Sequence, residues 1–197
     1  MPSEAEKLEF EIYEKALKLA ALRAAEKPTP VKDYEFETSD GKVMLSALFG
    51  GRDKLLAIHN MGEGCRYCTL WADGLNGVLP HLEDAMAVAM VSKDAPDTQR
   101  RMSRDRGWKF KMASHNGGAY MTEQSVGKGN YPGAVVYEMV DDKIYRRGGA
   151  PFGPGDLYSP VWHLLALGGV GTEEWTPQFH YWSRPEKLDD GGENIRD

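Results

Sequence analysis

Cysteine is scarce here. The chain has two among 197 residues, Cys65 and Cys68. A structural zinc takes four ligands, and the sequence offers no second C-x-x-C to supply them. Apolar runs are short, and none approaches the ~18–20 residues of a membrane-crossing helix. The opening, Met1-Pro2-Ser3-Glu4-Ala5-Glu6, lacks the apolar stretch of a secretory signal. Basic excess is missing too. With 24 Lys and Arg against 30 Asp and Glu, the net charge is −6, which argues against a nucleic-acid partner. There is no P-loop, Rossmann glycine fingerprint or zincin motif. These absences point to a cytoplasmic protein with neither membrane nor nucleic acid as partner. In that reducing compartment a lone cysteine pair is more often catalytic than a structural staple. Composition is otherwise that of a globular domain, 41% apolar and 27% charged, and the length suffices for one well-filled core.

What is present is a spacing. Cys65-Arg66-Tyr67-Cys68 follows the apolar run Leu55-Leu56-Ala57-Ile58 and precedes the helix-compatible run Thr69-Leu70-Trp71-Ala72-Asp73. A strand feeding such a helix sets the first sulfur over the helix N-terminus. There, partial positive charge and free N–H groups favour thiolate, and Arg66 adds a cation beside it. Cys65 is then the nucleophile, and Cys68, one turn inside, the resolving thiol. Two other readings stay open: a metal site completed by His59 and His81, and a pair of buried, inert thiols. The strand–helix context favours thiol–disulfide chemistry.

In chain order, Ser3 to about Glu26 reads as a helix, opened by a Ser3/Glu6 capping box and ended by Pro28 and Pro30. Its apolar residues form two stripes. Leu8, Ile12, Leu19 and Leu22 lie on one side, and Phe10, Tyr13, Leu17, Ala20 and Ala24 lie nearly opposite. Either the helix is sandwiched within its own chain, or one stripe is a homo-oligomer contact. Val31–Thr38 alternates as a strand, Ser39–Lys42 is a turn, and Ser46–Gly51 is a helical turn. Lys54–His59 reads as a central strand. The cysteine helix runs to about Leu82 past Pro80, and Ala85–Ser92 is a second buried strand. Asp94 is expected to cap a helix that Gly107 closes. That helix carries Arg100, Arg101, Arg104 and Arg106, either a solvated face or a patch for an acidic partner. Lys109–Ser114 is a short strand, 115–131 a glycine-bearing loop, Gly133–Val140 and Lys143–Arg147 a hairpin, and Leu157–Leu167 a helix. The expected divisions are a helix over 1–28, a domain over 29–182 and a polar, disordered tail over 183–197.

A strand–helix–strand half followed by a hairpin–helix half suits a thioredoxin-like sheet. The runs Lys32–Phe36, Asp40–Val43 and Leu48–Arg52 resemble the opening of the alkyl-hydroperoxide-reductase/thiol-specific-antioxidant branch. Glu63–Cys68, Trp71–Gly74, His81-Leu82 and Gly107–Phe110 are more similar to a bacterial thioredoxin-like family of mostly uncharacterised function. The resemblance implies an α/β, three-layer fold with a mixed central sheet, plus an added N-terminal helix. It also implies a redox site at Cys65 and Cys68 faced by a cis proline, for which Pro132 in Tyr131-Pro132-Gly133 is the candidate. Thioredoxins are similar in carrying a buried acid six residues before the first cysteine. Here that position is His59, either a base for the Cys68 proton or a strand-end histidine bonded to backbone. Tyr67 and Trp71 either contact substrate or fill the core. With Arg66, Tyr131 and Pro132 they are the candidate substrate-binding set. A peroxidase would carry a hydroxyl three positions before its cysteine, where this chain has Gly62.

The expectation is therefore a thiol–disulfide oxidoreductase acting on a protein or small-molecule disulfide or thiol. It needs no cofactor or metal, and a reductase partner regenerates it. Thiol peroxidase and a non-catalytic binding module are the alternatives.

Overall fold

In the computed structural model, residues 2–181 are described. The elements run α1 (Glu4–Ala25), β1 (Thr29–Val31), β2 (Glu35–Thr38), β3 (Gly41–Met44), α2 (Leu45–Leu48), β4 (Lys54–His59) and α3 (Arg66–Ala85). They continue with β5 (Ala87–Ser92), α4 (Pro96–Arg106), β6 (Lys111–Ser114), α5 (Ala119–Gln124), β7 (Gly133–Val140), β8 (Lys143–Pro151) and α6 (Pro160–Leu167). The strands form one sheet in the order β1-β8-β7-β4-β5-β6-β2-β3. The expected tail over 183–197 lies outside the described residues.

The two expected halves share the sheet's centre. β4 and β5 pair in parallel through α3, from Leu55 opposite Ala87 to His59 opposite Val91. β7 pairs antiparallel to β4 on its other side and to β8 beyond. Every residue of β5 is buried, as a strand covered on both faces requires. Alternation along β4 divides the core. Leu55 and Ala57 point into a cluster with Tyr34, Phe36, Leu45 and Tyr120. Ile58 and Leu56 face a second cluster with Trp71 and Leu79 of α3 and Trp162 of α6. Helices therefore cover both faces of the sheet, giving three layers.

The sheet is curled. Val31 and Glu35 are four residues apart, yet β1 and β2 stand six strand positions apart in the sheet. Four residues reach ~14 Å, whereas six flat spacings would span ~29 Å. Only a curled sheet brings these edges close, and right-handed strand twist supplies the bend. This breaks the continuous strand expected over Val31–Thr38. Lys32 and Tyr34 leave the ladder and both reach the Glu123 carboxylate at 2.7 Å. Asp33 accepts from the N–H and hydroxyl of Ser46 at 2.9 and 2.6 Å.

Other expectations shift locally. The Ser3/Glu6 capping box is present. Pro80 lies inside α3, which continues to Ala85. α4 is capped at Ala95 without a side-chain bond, not by Asp94, and Gly107 closes it in the left-handed region, φ 69°. Asp141 and Asp142 form the hairpin turn at φ 49° and 58°. β8 runs on to Pro151, past the Arg147 at which the strand was expected to end. Gly149 belongs in that strand because a Cβ there would sit 2.9 Å from Val126 and 3.0 Å from the Ala134 carbonyl.

Candidate active site

Both cysteines stand at the C-terminal ends of parallel strands β4 and β5, where open α/β sheets form their crevices. After His59 the chain leaves the sheet through Asn60 and turns at Gly62, φ 121°. A Cβ at Gly62 would lie 2.7 Å from Asp94 Oδ1. That approach lets Asp94 Oδ2 accept the Glu63 N–H at 2.8 Å, so the carboxylate holds the cysteine loop instead of capping α4. Cys65 is the N-cap of α3, and its Sγ accepts the Cys68 N–H at 3.1 Å. Thr69 closes the turn by donating from N–H and Oγ1 to the Cys65 carbonyl at 3.0 and 3.1 Å.

The two thiols are free and differ in environment. Cys65 is half-buried and Cys68 buried. The Cys68 thiol hydrogen-bonds Cys65 and, with the Cys68 and Tyr67 N–H groups, holds the Cys65 pKa below the ordinary thiol value against the opposing effect of burial. The same hydrogen bond, burial and the neighbouring Cys65 charge push Cys68 far up. The Met61 N–H, 3.4 Å from Cys68 Sγ, offsets this only in part. The pair is asymmetric: the outer thiol loses its proton more readily than an ordinary cysteine, and the inner one resists losing it.

The mouth is an open crevice of about 760 Å³ lined by Glu63, Cys65, Arg66, Tyr67, Lys93 and Asn130 among others. Arg66 is largely buried, 8% exposed, and borders the crevice beside Cys65. Tyr67 is half-buried and stacks on Trp162 at 6.3 Å. Trp71 is 2% exposed and packs against Phe152 and Trp162, so of its two readings the core one holds. Asn130 donates to the Met61 carbonyl at 3.0 Å, tying the 130–132 loop to the cysteine loop. Pro132 is buried in that loop, but its peptide bond is trans, since the described residues contain no cis peptide. The expected cis proline is thereby corrected. The Pro132 carbonyl accepts the Phe152 N–H at 2.9 Å, extending the β7–β8 ladder through a trans bond. Tyr131 is 41% exposed and packs over Gly127, not among the crevice residues.

His59 is also corrected. It lies on the opposite face of β4 from α3, with Nε2 2.8 Å from Tyr120 Oη. Burial, aided by the nearby His115 and Arg146, depresses its pKa to about 3. It is neutral at neutral pH and is placed away from the cysteine side of the sheet, so it does not take the Cys68 proton. Its partner is a side chain, not the backbone expected of a strand-end histidine. It anchors a buried relay. Tyr137 Oη meets Tyr120 Oη at 3.1 Å and Gln124 Oε1 at 3.2 Å, and Gln124 Nε2 donates to Tyr34 Oη at 3.2 Å. Among the described residues, no three of His, Cys, Asp or Glu are grouped to hold a metal ion.

A bacterial family of unknown function, DUF899, matches residues 7–187. The chain belongs to that family. No curated protein matches it. Among solved structures it is similar to a hypothetical protein of Sinorhizobium meliloti at 14% identity and TM-score 0.50, covering 75% of this chain and 85% of that one. It is also similar to the Xanthomonas campestris bacterioferritin comigratory protein, described for alkyl peroxide reduction, at 16% identity and TM-score 0.50, covering 68% and 90%. A yeast mitochondrial 1-Cys peroxiredoxin matches at 12% identity and TM-score 0.51, covering 76% and 82%. At these identities the likeness shows the fold, which is thioredoxin-like.

Within this DUF899 chain, four polar crevice residues were not among the candidate site residues of the sequence: Glu63, Lys93, Asp94 and Asn130. Lys93-Asp94 directly follows β5, and the carboxyl-end rule for parallel strands could have flagged it. The α4 arginines are all engaged within the chain. Arg100 meets Asp97, Arg101 meets Glu63 at 2.5 Å, Arg104 meets Asp105, and Arg106 grips Asp73. Arg101 thus braces the cysteine loop, and Asp73 also accepts the Trp108 indole N–H at 2.8 Å. Among the described residues no helix is long and apolar enough to cross a membrane.

Proposed function

We propose that this DUF899 protein is a thiol–disulfide oxidoreductase. Cys65 thiolate attacks one sulfur of a substrate disulfide, forming a Cys65–substrate disulfide and expelling the other sulfur as thiolate. The Cys68 proton passes to that leaving thiolate. Cys68 Sγ, now a thiolate, then attacks Cys65 Sγ, the Cys65–Cys68 disulfide forms, and the second substrate sulfur leaves as a thiolate that takes its proton from solvent. The cycle reduces one substrate disulfide and oxidises the dithiol, so an external dithiol reductant must regenerate it. The step runs in reverse if the pair is the stronger oxidant.

One observation carries the reading: Cys65 Sγ caps α3 by accepting the Cys68 N–H, half-exposed at a crevice, while Cys68 lies beneath it, buried and protonated. Fixed N–H donors at a helix start lower the cost of the thiolate, and the attacking thiolate is the reactive species. Gly62 supplies no hydroxyl at the position where a peroxidase would orient peroxide.

Stopped-flow mixing with a small aromatic disulfide tests this. The wild type should release two equivalents of thiol, Cys68→Ser one equivalent with a trapped adduct on Cys65, and Cys65→Ser none at a comparable rate. Reaction with hydrogen peroxide at a rate exceeding that with the disulfide would favour the peroxidase reading. Inertness toward both would leave a non-catalytic domain.

A further inference from the structure

α1 spans 22 residues and buries none of them. Leu8, Phe10, Ile12, Tyr13, Leu17 and Leu22 are each 51–60% exposed. A helix in a globular protein is held chiefly by an apolar face packed on something, and this one has two opposed faces and no floor. Its charge is also divided. From Glu4 to Glu14 the ionisable side chains acting at neutral pH are five glutamates and Lys7, and from Lys15 to Arg23 they are three bases. The helix dipole explains acids in the first turn and a base in the last. It does not explain Glu9, Glu11, Glu14, Lys15 or Lys18, which lie beyond its short reach.

The domain carries a matching deficit. Part of the sheet face beside α3 is uncovered, leaving an apolar groove of about 480 Å³ floored by Leu56, Ile58, Ala134 and Val136. Its rim carries Arg23, Lys54 and Arg147, the last already ion-paired with Glu138 at 3.7 Å. One wall is the last turn of α1 itself, whose Ala24 carbonyl accepts from Arg147 at 3.0 Å.

We infer that α1 of a second copy docks in this groove, the two helices running antiparallel across a two-fold axis. Antiparallel pairing lays each acidic half along the other's basic half. It also places the partner's N-terminal half beside this chain's α1 C-terminus, which is where the groove lies. The stripe holding Phe10, Tyr13 and Leu17, flanked on the helix by Glu9 and Glu14, enters the groove with its acids at that rim. The stripe holding Leu8, Ile12, Leu19 and Leu22 pairs helix with helix. Two opposed stripes are what such an exchange consumes. Burying the six exposed side chains at ~100 Å² each removes ~1,200 Å² over both chains before the groove's own surface is counted, and stable interfaces bury roughly 1,200–2,000 Å².

Analytical ultracentrifugation of the full chain tests this. The expected result is a dimer at micromolar concentration. Phe10→Ser with Leu17→Ser should raise the dimer Kd at least 100-fold. Glu9→Lys with Glu14→Lys should raise it about tenfold, and Lys54→Glu added to that pair should recover most of the loss. None of the α1 side chains is buried within its own chain, so the thermal melt of the dissociated species and the Cys65 reaction rate should stay unchanged. A monomer at hundreds of micromolar overturns the inference, as does a dimer indifferent to the Phe10/Leu17 pair. Failure of Lys54→Glu to rescue overturns the placement in the groove.

Discussion

His59 should make this protein acid-labile in a window that its substitution removes. The imidazole is buried, and its pKa falls from an ordinary 6.5 to about 3 in the folded chain. The unfolded chain therefore binds a proton below about pH 6.5 that the folded chain refuses until about pH 3. With more protons on the unfolded state, stability falls as pH falls through this window. One group contributes ~1.4 kcal/mol per pH unit there. Over the window the sum is on the order of 5 kcal/mol, a large share of the ~5–15 kcal/mol typical of a domain. Burial, with the nearby Lys93 charge, lowers His115 in the same direction and adds to the slope. His59→Gln keeps a polar partner for Tyr120 and has nothing to protonate. Urea unfolding at several pH values between 7 and 3.5 should show the wild type losing stability more steeply than His59→Gln, the gap widening as the pH drops. Parallel curves would mean that His59 is not held neutral by burial, and the reasoning would fail.

Three further predictions rest on neighbouring contacts. Tyr120→Phe removes the hydroxyl that meets His59 Nε2 at 2.8 Å and Tyr137 at 3.1 Å, so chemical denaturation should show a loss of about 2–4 kcal/mol; a change under ~0.5 kcal/mol would refute the relay's structural role. Gly62→Ala pairs a disfavoured φ with a Cβ 2.7 Å from Asp94. It should cost about 1–3 kcal/mol by urea melt and slow Cys65 alkylation by iodoacetamide, because the loop anchored on Asp94 must shift; a neutral result on both would contradict the geometry. Arg101→Gln frees Glu63 from its exposed ion pair and should leave stability within ~1 kcal/mol, since such pairs contribute little, while raising loop mobility as read by amide exchange at Glu63 and Gly64.

The fold was largely legible because its centre obeys local rules. Apolar runs at Leu55–His59 and Ala87–Ser92 are what doubly covered strands require. The hairpin at Asp141-Asp142 follows from two adjacent residues that tolerate positive φ. What was illegible depends on distant contacts. Nothing local reveals that Lys32–Tyr34 must cross between sheet edges, because that follows from the curl. Gly149 looks like a loop residue until the close approach of Val126 and the neighbouring strand is seen. At the site, Cys65, Cys68, Arg66 and Tyr67 fall together as their spacing suggests. His59 fails because six residues of separation does not say which face of a strand the sixth occupies. Asp94 has a cap's position in sequence but a better donor in space, the Glu63 N–H. α1 showed two stripes in sequence, and the structure adds that neither is covered by its own domain.

The central claim is that Cys65 is a thiolate stabilised by the start of α3. Ultraviolet thiolate absorbance of the reduced protein, titrated between pH 4 and 10 and assigned by comparing wild type with Cys65→Ser, measures this directly. The account predicts one thiol ionising below the ordinary ~8.5 of free cysteine, lost in Cys65→Ser, with Cys68 silent across the range. A Cys65 midpoint at or above that value would contradict it.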